Sequence, residues 1–231
     1  MDEKIELIIY DWDGTLMDSI GLISQCMQKA FSELALPELS DEKAKSIIGL
    51  ALVRGIEVLT PGASVALREK VVLTYKKYFF KLSETGMHLF PGVAKGMSQL
   101  KANGVGLAVA TGKSRMGLDR DFARIDFADF FHETRTIDEC RPKPDPHMIE
   151  DIMQTLKVDP DKTIMVGDTS YDMEMAERAG IRRIAASYGA HPVEQLTPFK
   201  PEKVFSDFQT LHEWLLSRVG DNSSNSDHAR V

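Results

Sequence analysis

Residues 11–16, Asp-Trp-Asp-Gly-Thr-Leu, directly follow a short apolar run at residues 5–10, Ile-Glu-Leu-Ile-Ile-Tyr. The run is aliphatic and β-branched, which is typical of a strand buried on both faces. In open parallel α/β sheets, ligands bind at the carboxyl ends of the strands. Two carboxylates there, Asp11 and Asp13, suit a nucleophile and an acid, although Asp and Gly also form ordinary turns at strand ends.

The second half of the chain alternates between apolar runs and helical patterns. Strands are predicted near residues 105–110, 163–166 and 183–186. Helices are predicted near residues 93–103, 114–123, 146–156 and 171–179. This alternation predicts an α/β fold with a doubly wound, mostly parallel, Rossmann-like sheet.

Residues 19–85 have a different pattern, with apolar side chains recurring every three or four positions and no convincing strand. We therefore expect a helical cap domain inserted into an α/β core made of residues 1–18 and 86–219. Residues 220–231 are rich in Ser, Asn and Asp and lack apolar anchors, so they are predicted to form a disordered tail.

The composition narrows the class of protein. The 231 residues are 43% hydrophobic and carry a net charge of −7, which argues against general affinity for nucleic acid or for an anionic membrane. Only two cysteines are present, too few for a disulfide framework, and a cytoplasmic location is expected. No signal peptide is recognisable, and no apolar run approaches the ~18 residues of a membrane span.

Further polar groups follow the other predicted strands. Thr111, Gly112 and the next two residues offer a hydroxyl, a flexible backbone and a helix N-terminus, which together can cradle a phosphate. The same residues also suit an ordinary capped loop between a strand and a helix. Lys143 lies between two prolines that fix the backbone. One interpretation is a rigidly positioned cation for a phosphate, and the other is an ordinary rigid linker.

Asp168 and Asp172 follow the strand predicted near residues 163–166, at the strand end and in the first turn of the next helix. Carboxylate oxygens in this arrangement suit Mg²⁺. The alternative is that one carboxylate caps the helix and the other complements its dipole.

These motifs, in this order, resemble those of the haloacid dehalogenase superfamily of phosphatases. The corresponding positions are residues 11–16, Thr111, Lys143, and residues 167–169 with Asp172. Residues 17–19 and 90–93 resemble the phosphoglycolate-phosphatase-like branch, which carries a helical cap. The resemblance extends from about Ile5 to Trp214.

The resemblance implies a mechanism for hydrolysis of a small phosphomonoester. Asp11 would attack phosphorus and form an aspartyl-phosphate. Asp13 would protonate the leaving alkoxide and then deprotonate the water that hydrolyses the intermediate. Mg²⁺ would lie between Asp11, the backbone carbonyl of Asp13 and Asp168, with Asp172 orienting its ligand shell.

The resemblance also implies which residues bind the substrate, a small phosphorylated metabolite. Thr111, the backbone amide of Gly112, and Lys143 would hold the phosphoryl oxygens. Gly112 stands where many relatives carry Asn, which removes one possible side-chain contact. The cap would choose the leaving group, and Arg54 is a candidate contact, although a solvated helix residue is an equal reading.

Three more residues lie near these motifs. Lys113 and Arg115 are further candidates beside the phosphate loop, and His191 is expected to be exposed. The oligomeric state is expected to be a monomer or a dimer.

Three other functions fit the motifs. A sugar-phosphate mutase or an inorganic pyrophosphatase of the same superfamily would keep every one of them. A phospho-accepting signalling domain also places an aspartate at a strand end, but a stable phospho-aspartate needs neither Asp13 nor an insertion of this size.

Overall fold

The computed structural model describes residues 4–219. In these residues the strands β1 to β8 span Leu7–Tyr10, Met17–Asp18, His88–Leu89, Gly106–Ala110, Glu133–Arg135, Thr163–Gly167, Arg182–Ala186 and Lys203–Phe205. The helices α1 to α10 span Ile20–Glu33, Asp41–Lys45, Leu52–Leu59, Val65–Gly86, Val93–Ala102, Arg115–Ile125, His147–Leu156, Ser170–Arg178, Val193–Leu196 and Phe208–Leu216.

The main sheet has six strands in the order β5-β4-β1-β6-β7-β8, and every neighbouring pair is parallel. The chain builds outward from β1 in one direction through β4 and β5, then in the other through β6, β7 and β8. The predicted α/β class with a doubly wound parallel sheet is confirmed.

Strand β1 lies in the middle of this sheet and is fully buried. Its side chains alternate between the two faces because successive residues of a strand point in opposite directions. Ile8 and Tyr10 pack into one apolar cluster of the core, whereas Leu7 and Ile9 pack into another. Helices cover both faces, which is why the strand is apolar at nearly every position.

The segment between β2 and β3 consists of the helices α1 to α4 and their connections. These helices have their own apolar cluster, which includes Met27, Ile56, Val71 and Tyr75. Helix α4 is the longest of the four and runs from Val65 to Gly86. The division into a core of residues 1–18 and 86–219 and a cap of residues 19–85 stays a prediction.

The two ends of this helical block are joined by a short antiparallel ribbon. Strand β2 pairs with β3, with Met17 opposite Leu89 and Asp18 opposite His88. The backbone N–H of Phe90 also donates to the carbonyl of Leu16 at 3.0 Å. The chain therefore leaves the core and returns to it at adjacent points.

Two further predictions concern the C-terminal tail and membrane-spanning segments. The predicted disordered tail at residues 220–231 lies outside the described residues. Among the residues that the structure describes, no helix has both the length and the apolar character needed to cross a membrane.

Candidate active site

The polar motifs converge because three of the strands that precede them are neighbours. Asp11 follows β1, Thr111 follows β4 and Asp168 follows β6, and β1 lies between the other two strands. Since the strands are parallel, their carboxyl ends lie at the same edge of the sheet. The sheet topology thus brings together residues that are far apart in sequence.

Asp11 is buried, and its two carboxylate oxygens have different environments. Oδ1 accepts a hydrogen bond of 2.7 Å from the backbone N–H of Trp12 and lies 2.8 Å from Nζ of Lys143. Oδ2 is buried and has no hydrogen-bond partner among residues 4–219. One oxygen is therefore held in place while the other is available to a ligand.

Lys143 is buried between two carboxylates. Its Nζ lies 2.8 Å from Asp11 and 2.6 Å from Asp172. Burial alone would lower the pKa of Lys143, but the charges of Asp11 and Asp172 outweigh burial and raise the pKa above its usual value. The side chain is therefore positively charged at neutral pH, at the floor of the site.

Asp168 and Asp172 are both buried and both anchored by other groups. Asp168 accepts from the hydroxyl of Thr15 and from the backbone N–H of Ala190, each at 2.7 Å. Asp172 accepts from the backbone N–H and the hydroxyl of Thr169, at 3.0 and 2.7 Å. The bond from the Thr169 backbone, together with a 3.3 Å bond from the backbone N–H of Asp172 to the hydroxyl of Thr169, forms a capping box at the start of α8. Thr169 is the N-cap residue of this box, and Asp172 is the carboxylate that completes it.

Asp11, Asp168 and Asp172 form the one group of potential metal ligands that the described residues contain, with oxygens within 4.8 Å of one another. Burial raises the pKa of Asp11 to about 7, with the charge of Lys143 acting against this and that of Asp172 adding to it. Burial and the charges of Asp11 and Asp172 raise the pKa of Asp168 well above its usual value. A buried, all-oxygen site with excess negative charge and a free Oδ2 on Asp11 fits a hard divalent cation such as Mg²⁺.

The carboxylate of Asp13 lies outside this group and has its own partners. Its Oδ1 accepts a 2.7 Å hydrogen bond from Ser19, and its Oδ2 accepts a 2.8 Å hydrogen bond from Lys113. Lys113 also lies 3.3 Å from Asp121, which accepts from the indole N–H of Trp12. Lys113 therefore contacts the predicted acid–base residue, in addition to its place beside the expected phosphate loop.

A cavity of about 450 Å³ lies above these groups, between the helical block and the core. Asp11, Asp13, Thr111 and Gly112 line it from the core. A Cβ atom on Gly112 would lie only 2.5 Å from the backbone oxygen of Gly49 in the helical block. The structure thus gives a reason for glycine at this position, since an Asn there would displace the loop that contains Gly49.

Arg54, Arg115 and His191 lie away from this arrangement or play other roles. The side chain of Arg54 is 65% exposed, forms a 2.9 Å ion pair with Glu57 and does not line the cavity, so its role in substrate binding stays a prediction. Arg115 pairs with Glu139 at 2.6 Å. The expected exposure of His191 is wrong, because its ring is buried and accepts from the backbone N–H of Ser170 at 3.1 Å.

Sequence reasoning missed several residues of the site. Thr15 and Ser19 lie within or beside the first motif, where a hydroxyl near two carboxylates was an available signal. Asp121 lies inside α6, and nothing in its neighbourhood in sequence indicates a contact with Lys113. The aromatic side chains Tyr75 and Phe79, which line the cavity from α4, follow ordinary helical spacing.

The protein is therefore an α/β protein with a doubly wound sheet, and the buried carboxylates at the ends of neighbouring strands form a site that could bind a metal ion. Residues 8–186 match the family of haloacid dehalogenase-like hydrolases, and the chain belongs to this family. The resemblance predicted from the motifs is confirmed, and so is the prediction that the protein is an enzyme.

Relatives cover nearly the whole chain. A protein of Dickeya dadantii named "Probable phosphatase IndB" is 31% identical, with 89% of this chain and 91% of that protein aligned. A phosphoglycolate phosphatase of Psychrobacter arcticus is 24% identical, with 94% and 99% aligned. The structure of a haloacid dehalogenase-like hydrolase of Streptococcus pneumoniae has the same fold, with a TM-score of 0.77, 23% identity, and 91% and 98% of the two chains covered.

Proposed function

We propose that this hydrolase is a Mg²⁺-dependent phosphatase that cleaves a small phosphomonoester through an aspartyl-phosphate on Asp11. The observation that carries the proposal is the environment of the Asp11 carboxylate. One oxygen is fixed by Trp12 and Lys143, and the other is unbonded among the described residues, at the floor of a cavity large enough for an organic phosphate. The relatives named phosphatases support the same activity.

Asp11, Asp168, Asp172 and the backbone carbonyl of Asp13 would hold the metal ion. When bound, Mg²⁺ supplies positive charge that offsets the repulsion between a carboxylate and a phosphate. Lys143 adds a fixed positive charge beside Asp11. Thr111 and the backbone amide of Gly112 line the same cavity and would donate to the phosphoryl oxygens as charge shifts onto them.

Asp13 would handle the protons of both half-reactions. In the first, an oxygen of Asp11 bonds to phosphorus, the bond from phosphorus to the alcohol oxygen breaks, and Asp13 gives that oxygen its proton. In the second, Asp13 takes a proton from water, the water oxygen bonds to phosphorus, and Asp11 is released with free phosphate. Ser19 and Lys113 would keep the Asp13 carboxylate oriented toward the cavity in both steps.

The substrate would be a small phosphorylated metabolite, and the protein would act in the cytoplasm as a monomer or a dimer. Both cysteines are unpaired and buried, which fits a reducing compartment. The acidic net charge of −7 disfavours nucleic acid and anionic membranes as partners.

Replacement of the nucleophile tests the proposal. Asp11→Asn should lower phosphate release from a phosphomonoester by about 10³-fold or more, because an amide is a poor nucleophile and a poor metal ligand. Asp119→Asn is the matched control, since Asp119 is an exposed carboxylate paired with Arg115. A folded Asp11→Asn protein with activity within about tenfold of the unmodified enzyme would refute the mechanism.

A further inference from the structure

The wall of the cavity opposite the carboxylates is apolar. The helical block contributes side chains from α1 and α4, among them Ile23, Met27, Val72, Tyr75 and Phe79. Among the described residues of this block that line the cavity, Lys76 alone is charged. A leaving group that points away from phosphorus would therefore enter an apolar and aromatic environment.

We infer that the substrate is a phosphomonoester of an alcohol with a bulky apolar body, an inference that rests on the proposed phosphatase activity. The hydroxyl of Tyr75 is the one hydrogen-bonding group among the five side chains named, so a carboxylate or a polyol would lose more hydrogen bonds to water than it gains against this wall, which is unfavourable. An aromatic or branched aliphatic group would be stabilised there by removal of its apolar surface from water.

The positive charges around the cavity are engaged by other groups or lie at its edge. The lining cations among the described residues are Lys76, Lys113 and Arg120. Lys113 binds Asp13 and Asp121. The guanidinium of Arg120 lies over the rings of Phe79 and Phe80, at 5.4 and 5.5 Å from the ring centres, and Lys76 is exposed. A carboxylate on the leaving group would find no free cation deep in the cavity among these three.

The size of the cavity also favours a bulky leaving group. Its volume of about 450 Å³ lies within the range of roughly 300–1,000 Å³ that is usual for pockets enclosing drug-sized ligands. A two-carbon acid such as glycolate would leave much of the apolar wall without contact, and the dispersion attraction of those atoms would be lost.

The opening of the cavity is apolar as well. Val53, Phe80 and Met116 are large apolar residues with more than half of their surface exposed, and all three line the cavity. Single exposed apolar residues are common on proteins, but a group of them around one opening marks a binding site for apolar ligands.

Three alkyl phosphates with alkoxide leaving groups test the inference: 2-phenylethyl phosphate, ethyl phosphate and phosphoglycolate. With Mg²⁺ present, kcat/KM for 2-phenylethyl phosphate should exceed that for each of the other two by about tenfold or more, the size of effect that added apolar contact gives in an enzyme pocket. All three reactions release phosphate, so one assay serves for all.

Variants in α4 test whether the apolar wall of the cavity causes the preference for 2-phenylethyl phosphate. Phe79→Ala and Phe80→Ala should each lower the ratio of kcat/KM for 2-phenylethyl phosphate to that for ethyl phosphate, by about tenfold for Phe79. Leu73→Ala is the matched control, because Leu73 lies on the same helix and is 67% exposed but does not line the cavity. Phe80 is 62% exposed, so its replacement leaves the core of the fold intact.

The outcomes separate this inference from the proposed function. A preference for phosphoglycolate or ethyl phosphate, or an unchanged ratio in both Phe variants, would contradict the inference of an apolar leaving group. The proposed phosphatase activity would still stand. Release of phosphate from none of the three substrates would overturn the phosphatase and the inference with it.

Discussion

The Nζ atom of Lys113 lies 2.8 Å from Oδ2 of Asp13, although 100 positions separate the two residues in sequence. Burial alone would lower the pKa of Lys113, but the carboxylates of Asp13 and Asp121 more than compensate and raise it above its usual value. The side chain thus carries a positive charge at neutral pH. It holds the Asp13 carboxylate in one orientation at the edge of the cavity.

Lys113→Met should reduce kcat on alkyl phosphates by about 10–100-fold, with a smaller change in KM, because Asp13 loses the group that orients it. Lys77→Met is the control, since Lys77 forms an exposed ion pair with Glu33 in the helical block. Steady-state kinetics of both variants on one substrate provide the comparison. A rise in KM with unchanged kcat would instead mean that Lys113 binds the substrate directly.

Asp13→Ala should slow hydrolysis of alkyl phosphates by about 10²–10⁴-fold, and hydrolysis of p-nitrophenyl phosphate far less. An alkoxide needs a proton from Asp13 in order to leave, whereas nitrophenolate leaves without one. Parallel rate measurements on the two substrates give the answer. Equal loss on both would show that Asp13 acts through geometry or folding.

A phosphoenzyme should accumulate in Asp13→Ala supplied with p-nitrophenyl phosphate, because its hydrolysis also needs Asp13 as a base. Intact-protein mass spectrometry after an acid quench would detect the added phosphoryl group. In the unmodified enzyme, a phosphoenzyme that lasts for minutes would favour a signalling role. Fast turnover only in the presence of a phosphosugar acceptor would favour a mutase.

Mg²⁺ should raise the melting temperature more at pH 8 than at pH 5. The pKa of Asp11 is raised by burial to about 7, so the metal-free folded protein binds a proton that the unfolded chain releases near pH 4. The contribution of Asp11 to the stability of the metal-free protein is therefore greatest at low pH and falls as the pH rises from about 4 to about 7. The metal binds the deprotonated carboxylates, so its effect grows over the same interval.

At a Mg²⁺ concentration of a hundred times Kd, linkage gives a stabilisation of about 2.7 kcal/mol. For a chain of this size that corresponds to a rise of roughly 5–10 °C in melting temperature. Asp168→Asn should remove most of this rise, since it takes away one of the three carboxylates. A shift that is equal at both pH values, or that persists in Asp168→Asn, would place the metal elsewhere.

Gly112→Ala should lower kcat/KM by about tenfold, because the added methyl group would lie 2.5 Å from the carbonyl oxygen of Gly49 and displace the loop that covers the site. The matched control is Gly21→Ala, in helix α1, where a Cβ atom meets nothing within 4 Å. This control should raise stability by about 0.5–1 kcal/mol and leave the kinetics unchanged. Unchanged kinetics in Gly112→Ala would mean that the loop adjusts without cost.

The sequence indicates the centre of the fold more clearly than its edges. Strands β1, β4 and β6 are apolar at most positions because they are buried on both faces, and each was predictable. Strands β5 and β8 were missed because they are short, lie at the edges of the sheet and contain charged residues such as Glu133 and Lys203.

In the candidate site, too, some residues are recognisable from the sequence pattern, whereas others depend on tertiary packing. Asp11, Thr111 and Asp168 were each predicted to follow a strand, and they converge because the three strands are parallel neighbours that end at the same edge. The contact of Lys113 with Asp13 and Asp121 has no local signature, since it depends on how α6 packs beside the first motif. The burial of His191 also depends on tertiary packing against Ser170 and Tyr171.

The ribbon between β2 and β3 connects the helical block to the sheet. Because Met17 faces Leu89 and Asp18 faces His88, the two chain crossings between the sheet and the helical block lie side by side. Both ends of the helical block are thus fixed by the same pair of short strands. We therefore expect that the side of the cavity formed by the helical block can vary in sequence without moving the carboxylates at the strand ends of the core.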